Sequence, residues 1–304
     1  MGAGRWEPSA WTSYSLRHVA GKTTTEIYSA MGINKDLDPF GVKIRESRDS
    51  EDNPLSTAII VGLDVTGSMH MVLDTMAKEC LNTLITEIYN RKPVHDPHIM
   101  IMGIGDVEID RAPLQVTQFE ADIRIAKQLK DIYLEGGGGG NNYESYTLPW
   151  YFAVKHTEID CLLKRGKKGY LFTIGDENPT PLLRGSHIER FLGDKNDQNF
   201  TASELLAQVS QKYNVYHLMV EEGSYFKGAG DSVVKEWVKL LGQRAIRLSD
   251  HRKLSEVIVA AISINEGLDK EAIIESWKGD TAKVVKYAVK DLVFEKPTES
   301  VVRF

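Results

Sequence analysis

Cysteine is nearly absent from this chain: its 304 residues hold two, Cys80 and Cys161, isolated and without CxxC spacing. A disulfide scaffold and a cysteine-based zinc site are thereby excluded. Both thiols read as small apolar side chains inside helices. Long hydrophobic runs are also missing. No stretch of about 18 apolar residues occurs, so the sequence offers no candidate membrane-spanning helix. The opening MGAGRWEPSAW lacks the basic stretch and apolar core of a secretory signal, and the expected location is intracellular, in the cytoplasm. Positive charge is in deficit: 37 Lys and Arg against 43 Asp and Glu leave a net charge of −6. That balance argues against non-specific nucleic-acid binding, which depends on neutralising phosphates. The eight histidines are scattered, and the close pair His95 and His98 has no further ligands at zinc spacing.

What is present is a sizeable apolar fraction, 42%, enough for a substantial core. The most informative segment is Ala58 to Met69, AIIVGLDVTGSM. A buried-strand run ends there in Asp64, Thr66 and Ser68 at alternate positions, a carboxylate and two hydroxyls at a strand terminus. In open α/β sheets the crevice beyond the carboxyl ends of the strands is where ligands bind. Oxygen donors in that place suit a small hard cation. Mg²⁺ takes about six oxygens at roughly 2.0–2.1 Å and usually keeps some water, so one such loop cannot complete the shell.

Two further loops are candidates to contribute. The strand Gly169 to Ile174 ends in Gly175, Asp176 and Glu177, and the five glycines 136–140 are followed by Asn141, Asn142, Tyr143, Glu144 and Ser145. The glycines permit close backbone approach; a flexible linker is the alternative, and their place inside an α/β alternation favours a shaped loop. Asp106 and Glu108 stand at another strand end, either bonded to waters on a cation or simply solvated. Glu177 is expected to be a solvated neighbour of Asp176, since two adjacent residues seldom face one ion.

Taken together, DVTGS, the glycine-rich loop with NNYES, and TIGD resemble the metal-ion-dependent adhesion site of von Willebrand factor type A (vWA) domains, over roughly residues 56–265. The resemblance places Asp64, Thr66 and Ser68 on the DxSxS positions, with Thr for the first Ser, and Asp176 on the final Asp. The middle loop is closer to the vWA branch associated with alpha-type kinases, which reads GGGDxPED: Asn141 falls on its Asp, Glu144 on its Glu and Ser145 on its last Asp. An amide oxygen still coordinates a hard cation but brings no charge; whether Asn141 or Asn142 is the ligand stays open. Asn142, Glu144 and Asp106 are the candidates for holding the cation's waters.

The resemblance implies an α/β fold, a doubly wound and mostly parallel sheet with helices on both faces. The alternation of strand-like and helix-like runs from Ala58 onward agrees. Helices are expected over Met69–Asn90, Asp122–Leu134, from about Pro149, and over Ser203–Tyr213, Ser232–Leu241 and Leu254–Asn265, with Thr201 or Ser203 capping one and Asp231 another. Strands are expected at His98–Gly105, Val116–Phe119, Val215–Val220 and Ala245–Leu248. Residues 1–55 read as an extension whose Trp6, Trp11 and Tyr14 anchor it to the core, and residues 266–304 as a helical tail.

The function implied by the resemblance is an intracellular binding module: Mg²⁺, with Mn²⁺ or Ca²⁺ as alternatives, takes an Asp or Glu from a partner protein in a multiprotein complex, sometimes one with an AAA-type ATPase. Neither nucleic acid nor membrane is an expected partner. Two other readings compete. A Mg²⁺-dependent phosphoryl hydrolase resembles DxDxT, but the second Asp is replaced here by Thr66, too weak an acid for that role. An RNA-binding protein of the Ro type needs a helical ring and a basic stripe that this chain lacks.

Overall fold

The computed structural model describes residues 4–135 and 141–294; the five glycines of the central loop lie outside them. Six strands form the central sheet: β1 Thr57–Asp64, β2 Pro97–Ile104, β3 Leu114–Val116, β4 Gly169–Gly175, β5 Tyr213–Val220 and β6 Ala245–Leu248, in the order β6-β5-β4-β1-β2-β3. All neighbours are parallel except the edge pair β2–β3. The fold is α/β, with a mostly parallel sheet enclosed by helices.

Side-chain alternation explains why both faces are covered. On β1, Ile59, Val61 and Leu63 enter one core while Ala58 and Ile60 enter the other, the period of two that a strand imposes. A strand buried on both sides reads as a continuous apolar run, which is how AIIVGL reads. The first core is closed by the helices His70–Thr75, Leu81–Arg91 and Leu254–Asn265. The second is closed by Thr147–Lys155, Ala202–Val209 and Ser224–Leu241.

The helices differ from expectation in instructive places. The run after Asp64 is helical to Arg91 but passes through a π turn at Met76–Cys80. Cys80 sits in that turn and Cys161 in helix Asp160–Arg165, both free and buried. Helix Thr147–Lys155 starts two residues before Pro149 and includes Leu148; a proline in the first turn lacks only an N–H that would be unpaired anyway. Asp231 caps nothing: it lies inside helix Ser224–Leu241, which begins after Gly223 and kinks at Ala229. Thr201 does cap its helix, in a reciprocal capping box with Glu204. The helix expected over Asp122–Leu134 shortens to Arg124–Leu129, and the edge strand ends at Val116.

The segment before β1 is part of the packed body. Trp6, Trp11 and Tyr14 are buried in the same core as β1, with ring centroids 5.8 and 6.0 Å apart in succession. The Tyr14 hydroxyl donates to the Ala126 carbonyl at 2.7 Å. Further on, Arg45–Ser47 pairs in parallel with Thr157–Ile159, and the Arg48 guanidinium binds Asp160 at 3.0 Å. Beyond Asn265, helices Lys270–Glu275 and Gly279–Ala288 lay Ile274 and Val285 against the first core, and the turn between them adds Trp277. Among the described residues no helix is long and apolar enough to cross a membrane.

Candidate metal centre

The register of the sheet brings the carboxylates together. Asp64 of β1 pairs with Ile104 of β2, Leu63 with Ile174 of β4, and Gly175 with Met219 of β5, so the loops after these strands leave at one edge.

Within the first loop, Asp64 Oδ1 accepts from the Thr66 backbone N at 2.9 Å and from its hydroxyl at 2.6 Å. This folds the loop back on the carboxylate. Ser68 reaches across to the next strand end and donates to Asp176 Oδ1 at 3.0 Å. Asp176 Oδ2 accepts from Tyr225 N at 2.9 Å, at the amino end of helix Ser224–Leu241, where a negative charge is favoured. Gly223 makes this possible: a Cβ there would lie 2.2 Å from Asp176 Oδ2. Of the residues singled out in the sequence, Asp64, Thr66, Ser68 and Asp176 therefore share one connected cluster.

The middle loop lies differently. The Asn141 amide donates to Asp106 Oδ2, and its oxygen accepts from Tyr143 N at 3.3 Å. Asp106 also accepts from Glu108 N at 2.9 Å and is buried, not solvated. The Asn142 side chain is exposed, and its carbonyl takes a bond from Asn178 at 2.8 Å. Ser145 accepts from Val107 N at 2.9 Å, fastening the loop to the end of β2. A two-residue parallel ladder, Tyr143–Glu144 with Asn178–Pro179, ties this loop to the one carrying Asp176.

Glu144 and Glu177 are the surprise of the site. Both are buried, and each has a carboxylate oxygen, Oε2, with no hydrogen-bond partner among the described residues. The expectation of a solvated Glu177 is corrected: Trp237 donates its indole N–H to the Glu177 carbonyl at 2.9 Å, which draws residue 177 under helix Ser224–Leu241. Burial, and then the charges of Asp64 and Asp176, push Glu177 up to about 8. Burial, then Asp64 and Glu177, raise Glu144 strongly. Asp64 is raised as well, by burial foremost, against the lowering pull of its Thr66 bonds.

Sequence reasoning missed Tyr146. Its buried hydroxyl, held protonated by burial, donates to Asp64 Oδ2 at 3.1 Å, and it fits because β4 ends in glycine: a Cβ on Gly175 would stand 1.8 Å from that hydroxyl. An aromatic next to a predicted helix start carries no signal for this contact.

The donor set fits a hard cation. It is all oxygen, its unpartnered carboxylate oxygens are buried, and the charges that act on Asp64, Glu144 and Glu177 are all carboxylates. No three ligand atoms from Asp64, Asp106, Glu144, Asp176 and Glu177 lie within 4.8 Å of one another, so hydroxyls and water would make up much of any shell. The described group that does gather so closely is Glu222, Asp250 and His251, beyond β5 and β6. There the carboxylates are already engaged, Glu222 with His251 at 2.6 Å and Asp250 with Arg252 at 2.8 Å.

No family model matches the chain, and no curated protein matches it. Among solved structures it is similar to the pilus adhesin SpaC from Lactobacillus rhamnosus GG in its open conformation, with 9% identity over 72% of this chain and a TM-score of 0.46. It is also similar to a von Willebrand factor type A protein from Catenulispora acidiphila (13% identity, 70% of this chain, TM-score 0.36) and to proximal thread matrix protein 1 from the mussel byssus (10%, 69%, 0.41). The chain spans 31%, 43% and 48% of those three chains respectively.

Proposed function

We propose that this chain is a vWA-type binding module in which a divalent cation, Mg²⁺ before Mn²⁺ or Ca²⁺, links the domain to an acidic side chain of a partner protein. The observation that supports it is the meeting of Asp64, Thr66, Ser68 and Asp176 at one sheet edge. These four residues would hold the ion, water completing its shell, and the ion would supply an attractive position for an incoming carboxylate. Tyr146 orients Asp64, and the amino end of helix Ser224–Leu241 orients Asp176. The Thr66 hydroxyl gives its proton to Asp64 and keeps its lone pairs for the ion; it is too weak an acid for the role a phosphoryl hydrolase would need at that position, which favours this reading.

Calorimetry tests it. Mg²⁺ binds the wild-type chain and fails to bind Asp64→Ala and Asp176→Ala, both folded by circular dichroism; equal binding by all three overturns the site. A partner retained from lysate by the wild type in Mg²⁺, and released by EDTA, tests the second half of the reading.

A further inference from the structure

The amino ends of the strands, on the opposite edge from the carboxylates, carry a different chemistry. Between the starts of β1, β2 and β4 lies a cavity of about 250 Å³, open to solvent. That is just below the range of roughly 300–1,000 Å³ common for small-ligand sites, so its occupant is compact. Leu55, Pro93, Val94 and Cys161 make the lining largely apolar. The Cys161 thiol is held protonated by burial, which leaves it an apolar surface and not a nucleophile.

The mouth is cationic. Lys164, Arg165, Lys167 and Lys168 put four positive charges into five positions of a chain whose net charge is −6, and the last three line the cavity. Lys164 is taken by Asp160 at 2.7 Å and Arg165 by Asp49 at 2.7 Å. Lys167 stands 3.6 Å from Glu266, the one carboxylate of the lining, and Glu266 already accepts from the Tyr170 hydroxyl at 2.6 Å. Lys168 is exposed and has no ion pair among the described residues. The turn that presents both lysines is pinned by its own backbone, Gly166 N to Leu162 O at 2.9 Å and Lys167 N to Cys161 O at 2.8 Å. Two ammonium groups thus stand over an apolar recess with one carboxylate, Glu266, to answer them.

We propose that this cavity binds a small amphiphilic anion, its apolar body seated on Val94 and Cys161 and its carboxylate or phosphate head held by Lys167 and Lys168. Nothing in the proposal depends on the cation at the other edge, so the test is run in EDTA and in Mg²⁺ alike.

The full chain is titrated with octanoate, octyl phosphate, octanol and octylamine, and binding is followed by amide chemical shifts. Saturable binding of at least one anion is expected, with shifts centred on Thr57, Val94, Lys167 and Lys168; which anion binds more tightly identifies the head group. The double variant Lys167→Glu/Lys168→Glu should weaken the anion at least about tenfold and leave octanol unchanged. Leu55→Trp, at the exposed rim, should block all of them without disturbing the fold. No saturable binding of either anion, octylamine binding as well as octanoate, or affinity unchanged in both variants would each overturn the proposal.

Discussion

Ser68 and Asp176, 108 residues apart in sequence, are joined by a hydrogen bond of 3.0 Å across the ends of two neighbouring strands. Because β1 and β4 run parallel and in register, their two loops can meet only at this edge. A loop that folds on its own carboxylate, as Thr66 does on Asp64, still needs the second strand end to become a site.

Gly223 should be intolerant of any side chain. Alanine would force its Cβ against the Asp176 carboxylate and turn it away from Tyr225 N and Ser68. The expected result is loss of Mg²⁺ binding in calorimetry, together with a destabilisation of about 1–3 kcal/mol from the buried carboxylate left without its bonds.

Asp64→Asn should separate stability from binding. The amide oxygen can still accept from Thr66, while one buried charge leaves a cluster of carboxylates. The melting temperature in EDTA should rise, by about 2–4 °C per kcal/mol relieved, and the upward shift that Mg²⁺ gives the wild type, expected from binding to the native state alone, should vanish.

The metal-free protein should lose stability toward alkaline pH through Glu177. Its folded-state value, about 8, lies above the ordinary 4.5. Its contribution is thus complete below about 4.5 and is lost as pH rises through 8. Glu177→Gln removes this term. The melting temperatures of variant and wild type in EDTA should diverge in the variant's favour between pH 5 and 8. Parallel curves would show that Glu177 does not carry the proton assigned to it.

Trp11→Ala should destabilise the whole domain and not a detachable arm. The ring is buried between Trp6 and Tyr14, and losing such an aromatic costs about 3–5 kcal/mol. A single unfolding transition displaced to lower urea is expected; an early separate transition would place residues 8–18 outside the core.

Much of this was legible in the sequence because burial on both faces writes itself as a run of apolar residues. AIIVGLD announced both β1 and its end, and Ala245–Leu248 and Leu254–Asn265 fall where the pattern set them. The cluster of Asp64, Thr66, Ser68 and Asp176 was legible for the same reason, since a polar residue that ends a buried strand has only the sheet edge to go to. What escaped was whatever depends on a contact between distant residues. Glu177 reads as solvated in the sequence because the Trp237 that holds its backbone lies 60 residues on. The bond from the Asn141 amide to Asp106, across 35 residues, also had no signal in the sequence. Tyr146 was invisible because the space it fills is the missing side chain of Gly175. Asp231 was misread as a cap because Gly223 starts its helix two turns earlier.

The short ladder between Tyr143–Glu144 and Asn178–Pro179 makes a single mechanical part out of two loops that the chain supplies separately. Thr180 binds the Glu144 carbonyl and Asn178 binds that of Asn142, so the pair is laced from both sides. The Asn178 side chain also contacts the Tyr225 hydroxyl at 3.1 Å, adding the front of helix Ser224–Leu241 to the same unit. A displacement of any one of these three segments should therefore carry the other two with it, a jaw rather than three independent fingers.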